Sequence, residues 1–143
     1  MSERTGACLC GQVRYRLSAE PLTARVCWCR DCQRIAGNGT VNAFFPTEAI
    51  DITGSPGEYL RAAESGRLVR RRFCPQCGCH LFADSPGYPG LVVVRVGTLD
   101  NPSLIKPLAN IWSSSAPGWA CLDPLLERID KQPSLPKPRP GAA

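Results

Sequence analysis

Cys27-Trp28-Cys29-Arg30-Asp31-Cys32 packs three thiols into six residues. In an extended chain Cys27 and Cys29 leave the same face, so both sulfurs can reach one ion. From Cys29 to Cys32 the spacing is C-x-x-C, in which a tight turn returns the second sulfur to the same centre. Three ligands are therefore local. The fourth position of a tetrahedral ion is left to a substrate or to a distant thiol, for which Cys79 and Cys121 are available. The difference governs function, because a four-coordinate ion staples a fold whereas a three-ligand ion can bind and activate a substrate.

Cys74-Pro75-Gln76-Cys77-Gly78 is another C-x-x-C, with the glycine that follows the second cysteine in zinc knuckles. It needs two more ligands. Cys8 and Cys10, read as lying on one strand face, supply them, and their union with Cys74 and Cys77 closes a long loop, where a metal clip restricts the unfolded chain most. Those four form a closed structural site, and Cys27, Cys29 and Cys32 are left to a second ion, giving two Zn²⁺ per chain. Cys79 lies only two residues beyond Cys77 and has little freedom to reach the second centre. Cys121, in Trp119-Ala120-Cys121-Leu122, reads as a small buried apolar residue.

The elements that must position these thiols are mostly strands. Val13-Arg14-Tyr15-Arg16-Leu17 alternates apolar and basic residues, as a half-buried strand does. Ala24 to Cys27 delivers the triple-cysteine segment, and Gln33 to Ala36 allows one helical turn stopped by Gly37. Thr40 to Phe45 and Ile50 to Ile52 are rich in strand formers. Tyr59 to Arg61 and Leu68 to Phe73 form a hairpin around Glu64-Ser65-Gly66, and its second strand leads into Cys74. His80 to Ala83, Leu91 to Val96 and Leu108 to Trp112 complete the strands, the near-continuous apolar run of Leu91 to Val96 calling for burial on both faces. Leu122 to Ile129 is expected as a short amphipathic helix with Pro124 in its first turn.

The chain has 143 residues, which fits one domain, residues 1–130, followed by a Pro-rich flexible tail, 131–143, with Pro133, Pro136, Pro138 and Pro140. Met1 to Gly6 carries no apolar run of a secretory signal, and no stretch approaches the ~18 apolar residues of a membrane span. A soluble, cytoplasmic protein with no membrane partner is expected. In a reducing compartment nine cysteines, an odd number, argue for metal ligands over disulfides. The formal charge of +5 counts every thiol as neutral; seven thiolates carrying two Zn²⁺ bring it to roughly +2, which gives no reason to expect nucleic acid.

In order and spacing, Gly6-x-Cys8-x-Cys10-Gly11-x-Val13-Arg14-Tyr15, Cys27-x-Cys29-x-x-Cys32, Phe73-Cys74-x-x-Cys77-Gly78-x-x-Leu81-Phe82 and Ile111-Trp112 with Pro117-x-Trp119 resemble the glutathione-dependent formaldehyde-activating enzyme family, which includes centromere protein V. The resemblance runs to about Asp130. It implies an all-β fold of stacked small antiparallel sheets, the β-tent. It also implies a structural zinc on Cys8, Cys10, Cys74 and Cys77, and a catalytic zinc on Cys27, Cys29 and Cys32. The implied chemistry is that of a carbon–sulfur lyase, forming S-hydroxymethylglutathione from formaldehyde and glutathione. The chain departs from the usual pattern in Trp28 and Asn110, where the family often has His, and in Cys79, where it often has a small residue such as Ser.

The expected function is accordingly a zinc-dependent carbon–sulfur lyase acting on the adduct of a small aldehyde with glutathione or a similar thiol. Arg30 or Arg34 could hold substrate carboxylates, and Trp28, Trp112 and Trp119 could wall a pocket. His80, the only histidine, sits in an expected strand, and Asp31 suits a turn better than acid/base work. The alternative is a non-catalytic module with two structural zincs whose basic run, Arg70-Arg71-Arg72, binds protein or nucleic acid.

Overall fold

Alternation of side chains along each strand divides this chain between two sheets. The computed structural model describes residues 4–137. A three-stranded antiparallel sheet contains β1 (Arg4–Ala7), β2 (Arg14–Leu17) and β5 (Ile50–Thr53), with β2 in the centre. The alternation in β2 appears as expected, Arg14 and Arg16 exposed and Tyr15 and Leu17 buried. β1 lacks any apolar alternation; its Gly6 stands opposite Tyr15, and a Cβ there would meet the Tyr15 ring at 2.3 Å. Glycine is what lets the ring lie across β1.

The second sheet has eight strands: β3 (Thr23–Cys27), β4 (Thr40–Pro46), β6 (Gly57–Ala62), β7 (Leu68–Phe73), β8 (His80–Asp84), β9 (Leu91–Arg95), β10 (Ala109–Ile111) and β11 (Glu127–Ile129). Their order is β11-β10-β3-β4-β9-β8-β7-β6. The strands pair antiparallel except that β10 lies parallel to both β3 and β11. The whole is a small all-β fold with one α-helix among the described residues, α1 (Arg30–Ala36).

One face of the large sheet packs on the small one. Phe45, Phe82, Val92 and Val94 share a core with Tyr15 and Leu17, and the Tyr15 and Phe82 rings meet edge to face at 5.1 Å. On the opposite face, register sets Asn42 beside Arg95, Phe44 beside Val93, and Cys27 beside Thr40. β9 is thus covered on both sides, as its apolar run requires.

Three expectations change. Leu122 to Ile129 is not a helix: Asp123 Oδ1 accepts from the Leu125 N–H at 2.9 Å, Leu126 N–H bonds Asp123 O at 3.2 Å, and β11 then pairs with β10. Eight residues make a marginal helix, and a free strand edge offers the backbone better partners. Cys8 and Cys10 do not share a strand face; they lie in the turn after β1, where Cys8 N–H donates to Val13 O at 2.9 Å and Gly11 takes φ 81°. Cys121 is exposed rather than buried.

Residues 131–137 form no helix or strand, yet they are tied to the body by Trp112 N–H to Lys131 O at 3.2 Å, Arg25 to Ser134 O at 2.9 Å and Tyr88 OH to Pro136 O at 3.1 Å. The remainder of the expected tail, with Pro138 and Pro140, lies outside the described residues. No helix among the described residues is long and apolar enough to cross a membrane.

Candidate metal centres

The knuckle at Cys74–Cys77 forms because Gly78, at φ 76°, lets its N–H turn back to Cys74 O at 2.8 Å while Cys74 N–H bonds Cys79 O at 2.9 Å. That turn faces the Cys8–Cys10 turn. Sγ atoms of Cys8, Cys10, Cys74 and Cys77 all lie within 4.8 Å of one another. Cys8 to Cys10 and Cys10 to Cys74 measure 3.7 Å, and Val13 N–H donates to Cys8 Sγ at 3.3 Å. A tetrahedral ion with metal–sulfur bonds of ~2.3 Å needs sulfur–sulfur edges of roughly 3.8 Å. The four sulfurs fit a metal ion of that geometry.

The second cluster sits where β3 passes into α1. Cys27 ends the strand, and Cys29, with φ −60° and ψ 156°, is the N-cap, its Sγ accepting from Cys32 N–H at 3.3 Å. Capping by Cys29 starts the helix at Arg30, three residues ahead of the expected turn; Gly37 ends it at φ 75°. The three sulfurs lie within 4.8 Å of one another, and this cluster can also hold a metal. Neither Cys79 nor Cys121 joins it. Cys79 packs instead against the core between the sheets, its Sγ 3.7 Å from His80 O.

Thiols this close share negative charge unevenly. Hydrogen bonding to Cys29 and Cys32, then burial, pushes the Cys27 thiol far up; Cys29 also rises, its bond to Cys27 outweighed by Cys32 and burial. Cys32 falls to about 2, through bonds from Cys27 and Cys29 and the charge of Arg95 against the cost of burial.

Arg95 had no signal in the sequence beyond ending an apolar strand. It is 9% exposed, donates to Asn42 Oδ1 at 2.6 Å, and has no carboxylate within ion-pair distance among the described residues. Its buried Nε has no partner. A buried cation without a counter-charge is costly unless an anion faces it, and the sulfur cluster is that anion. Cys27, Cys29, Cys32 and Arg95 line one cavity of about 130 Å³ on the face of the large sheet away from the small one.

Other expected site residues lie elsewhere. Arg30 and Arg34 are outside this cavity; Arg67, Arg71 and Arg95 line it. Asp31 is held by Arg71 at 3.1 Å and Arg61 at 3.6 Å, and His80 borders a separate cavity with Arg34 and Tyr59. Of the tryptophans, Trp112 lines the cysteine cavity, Trp28 is buried away from it, and Trp119 is 68% exposed. The basic run is already engaged: Arg70 pairs with Asp84 and Glu58, Arg71 with Asp31, and Arg72 lies over the Phe82 ring.

The family described as glutathione-dependent formaldehyde-activating enzyme matches residues 3–115. The chain belongs to this family. A putative glutathione-dependent formaldehyde-activating enzyme from Talaromyces marneffei is 28% identical over 76 residues, 52% of this chain. The match spans only 40% of that relative's length. Among solved structures, the crystal structure of a Rhodobacter sphaeroides protein is similar with a TM-score of 0.54 and 25% identity, over 72% of this chain and 96% of that one. Trp28 and Asn110 touch each other: Trp28 Nε1 donates to Asn110 Oδ1 at 3.2 Å. Gly39 makes room for this indole, since a Cβ there would lie 2.8 Å from it. Trp28 and Asn110 thus form one buried pair.

Proposed function

We propose that the chain is a carbon–sulfur lyase that makes and breaks the adduct of a thiol with a small aldehyde, with zinc at both cysteine clusters. The Cys8, Cys10, Cys74 and Cys77 site is structural, and Cys27, Cys29 and Cys32 form the catalytic site. One observation carries this proposal: three clustered sulfurs and a buried Arg95, with no carboxylate partner among the described residues, line the same cavity. Glutathione is the thiol named for the family. When bound, zinc supplies a Lewis acid that lowers the pKa of a thiol or hydroxyl in its open position.

The chain's own residues hold that chemistry in place. Cys29 joins the cluster to the start of α1, so its sulfur is set by backbone hydrogen bonding as well as by the metal. Arg95, anchored by Asn42, presents positive charge to the substrate sulfur as a thiolate or to the adduct oxygen as an oxyanion. In synthesis the sulfur–carbon bond forms, the carbonyl π pair moves to oxygen, and the thiol proton ends on that oxygen. Asp31 is occupied by arginines, His80 belongs to another cavity and Asp84 is held by Arg70, which leaves Glu64, Tyr88 or water in the sulfur cavity to carry the proton.

Zinc per chain and the exchange of free aldehyde plus thiol with the adduct, followed by NMR, test the proposal. Two zincs and exchange faster than the uncatalysed rate are expected, with the acceleration lost in Cys29→Ala while the fold persists. No acceleration with glutathione or any small thiol refutes it.

A further inference from the structure

The family match ends at residue 115, yet the cysteine cavity is finished by residues beyond it. Leu135 and Gln132 line its wall alongside the sulfurs. The strand-free segment 131–137 is held at both ends and in the middle: Lys131 O and Gln132 Oε1 accept from Trp112, the latter from Nε1 at 3.0 Å, Ser134 O accepts from Arg25, and Pro136 O from Tyr88. Pro133 and Pro136 lose little backbone freedom on ordering and leave no N–H to be satisfied. A proline-rich strap is therefore a low-cost way to cover a pocket without adding a strand.

The strap also sets Trp112. This residue takes φ 54° and ψ 35°, left-handed backbone that a bulky side chain rarely adopts. Both its backbone N–H and its indole N–H are bonded to the strap, and its ring lines the cavity. One wall is thus made directly by Leu135 and another is positioned through Trp112.

Most of the surface that the strap encloses is apolar. Phe44, Val69, Val93, Ile111, Trp112 and Leu135 face a volume of about 130 Å³, room for roughly four waters. Besides the sulfur cluster, charge comes from Glu64, Arg67, Arg71, Asp84 and Arg95, of which Arg71 is paired with Asp31 and Asp84 with Arg70. A tripeptide thiol that brings two carboxylates and an ammonium past these walls must desolvate them, whereas an alkyl or aryl body gains by burial.

We infer that residues 131–137 are a selectivity wall, and that the thiol half of the substrate has a compact apolar body. The inference rests on the open metal position of the Proposed function. Leu135 is a specificity residue and Gln132 a positioning residue for Trp112.

The full-length protein, with cobalt replacing the metal, reads thiol binding directly through its visible bands. Titration with 2-mercaptoethanol, the straight-chain alkanethiols from ethanethiol to hexanethiol, and glutathione gives the affinities. Each added methylene is expected to strengthen binding about fourfold until the cavity is full, with pentanethiol at least about tenfold tighter than glutathione. Leu135→Gly, and a chain ending at Asp130, should flatten the series and bring glutathione level with pentanethiol, leaving 2-mercaptoethanol unchanged. Gln132→Ala should weaken the long thiols only and alter Trp112 fluorescence, a change that loss of bulk at the wall would not produce. A flat series in the intact chain, or a steep one untouched by Leu135→Gly, overturns the inference while leaving the open site intact. Absence of any spectral response, 2-mercaptoethanol included, overturns the open site and the inference with it.

Discussion

Cys29 carries two loads that substitution can separate. Its Sγ belongs to the triple-cysteine cluster, and the same atom accepts the Cys32 N–H as N-cap of α1. Cys29→Ala removes both roles, whereas Cys29→Ser removes the soft ligand but keeps an acceptor at the cap. Each variant should retain the metal of Cys8, Cys10, Cys74 and Cys77 and lose the other, so metal analysis falls from two per chain to one in both. With metal content equal, their difference in stability isolates the cap. An alanine cap costs about 1 kcal/mol relative to serine, which in a chain of this size shifts the melting temperature by roughly 2–4 °C. Calorimetric melts of the two variants at matched zinc give the comparison. Equal melting temperatures refute the capping role, and two zincs retained in either variant refute the assignment of Cys29 to the cluster.

Cys74→Ala should do far more than Cys29→Ala. A structural zinc contributes about 10 kcal/mol or more, comparable with the whole ~5–15 kcal/mol stability of a domain, so the cooperative melt and the near-UV circular dichroism should vanish at 25 °C. A persisting cooperative melt refutes the structural role. The pH response of the triple site has a definite sign: Cys27 and Cys29 are held protonated at neutral pH and Cys32, at about 2, is already a thiolate. Metal uptake there expels two protons, and chelator competition for the second equivalent should show log affinity rising by about two per pH unit between pH 6 and 8. A slope near zero refutes the ligand set, and a slope near three refutes the thiolate state of Cys32.

Much of this was open to reading because it is local. C-x-C and C-x-x-C are distances along the chain, and a turn of a few residues can close only one way around an ion. Period-2 alternation in β2 and the apolar run of β9 report which faces are covered, whatever covers them. Even the grouping of Cys8 and Cys10 with Cys74 and Cys77 follows from ligand counting. Where local signals were weak they misled: Asp123-Pro124 suits a helix start and a turn alike, and only the free edge of β10 decides between them.

The sequence by itself determined two cysteine clusters, a sheet-rich chain and membership of a family with thiol and aldehyde chemistry, because each rests on residue type and short-range spacing. Tertiary structure alone decided which charges reach the sulfurs. Arg95 faces Cys32 because β9 pairs with β4 in a register that sets Arg95 beside Asn42, while Arg30 and Arg34, nearer in sequence, turn away on α1. It alone also decided what closes the cavity. Parallel pairing of β10 with β3 carries Trp112 to the cluster, and the strap follows through hydrogen bonds to that residue, to Arg25 and to Tyr88. Contacts made by carbonyl oxygens of a proline-rich segment leave no pattern in residue type, which is why 131–137 reads as a tail and folds as a wall.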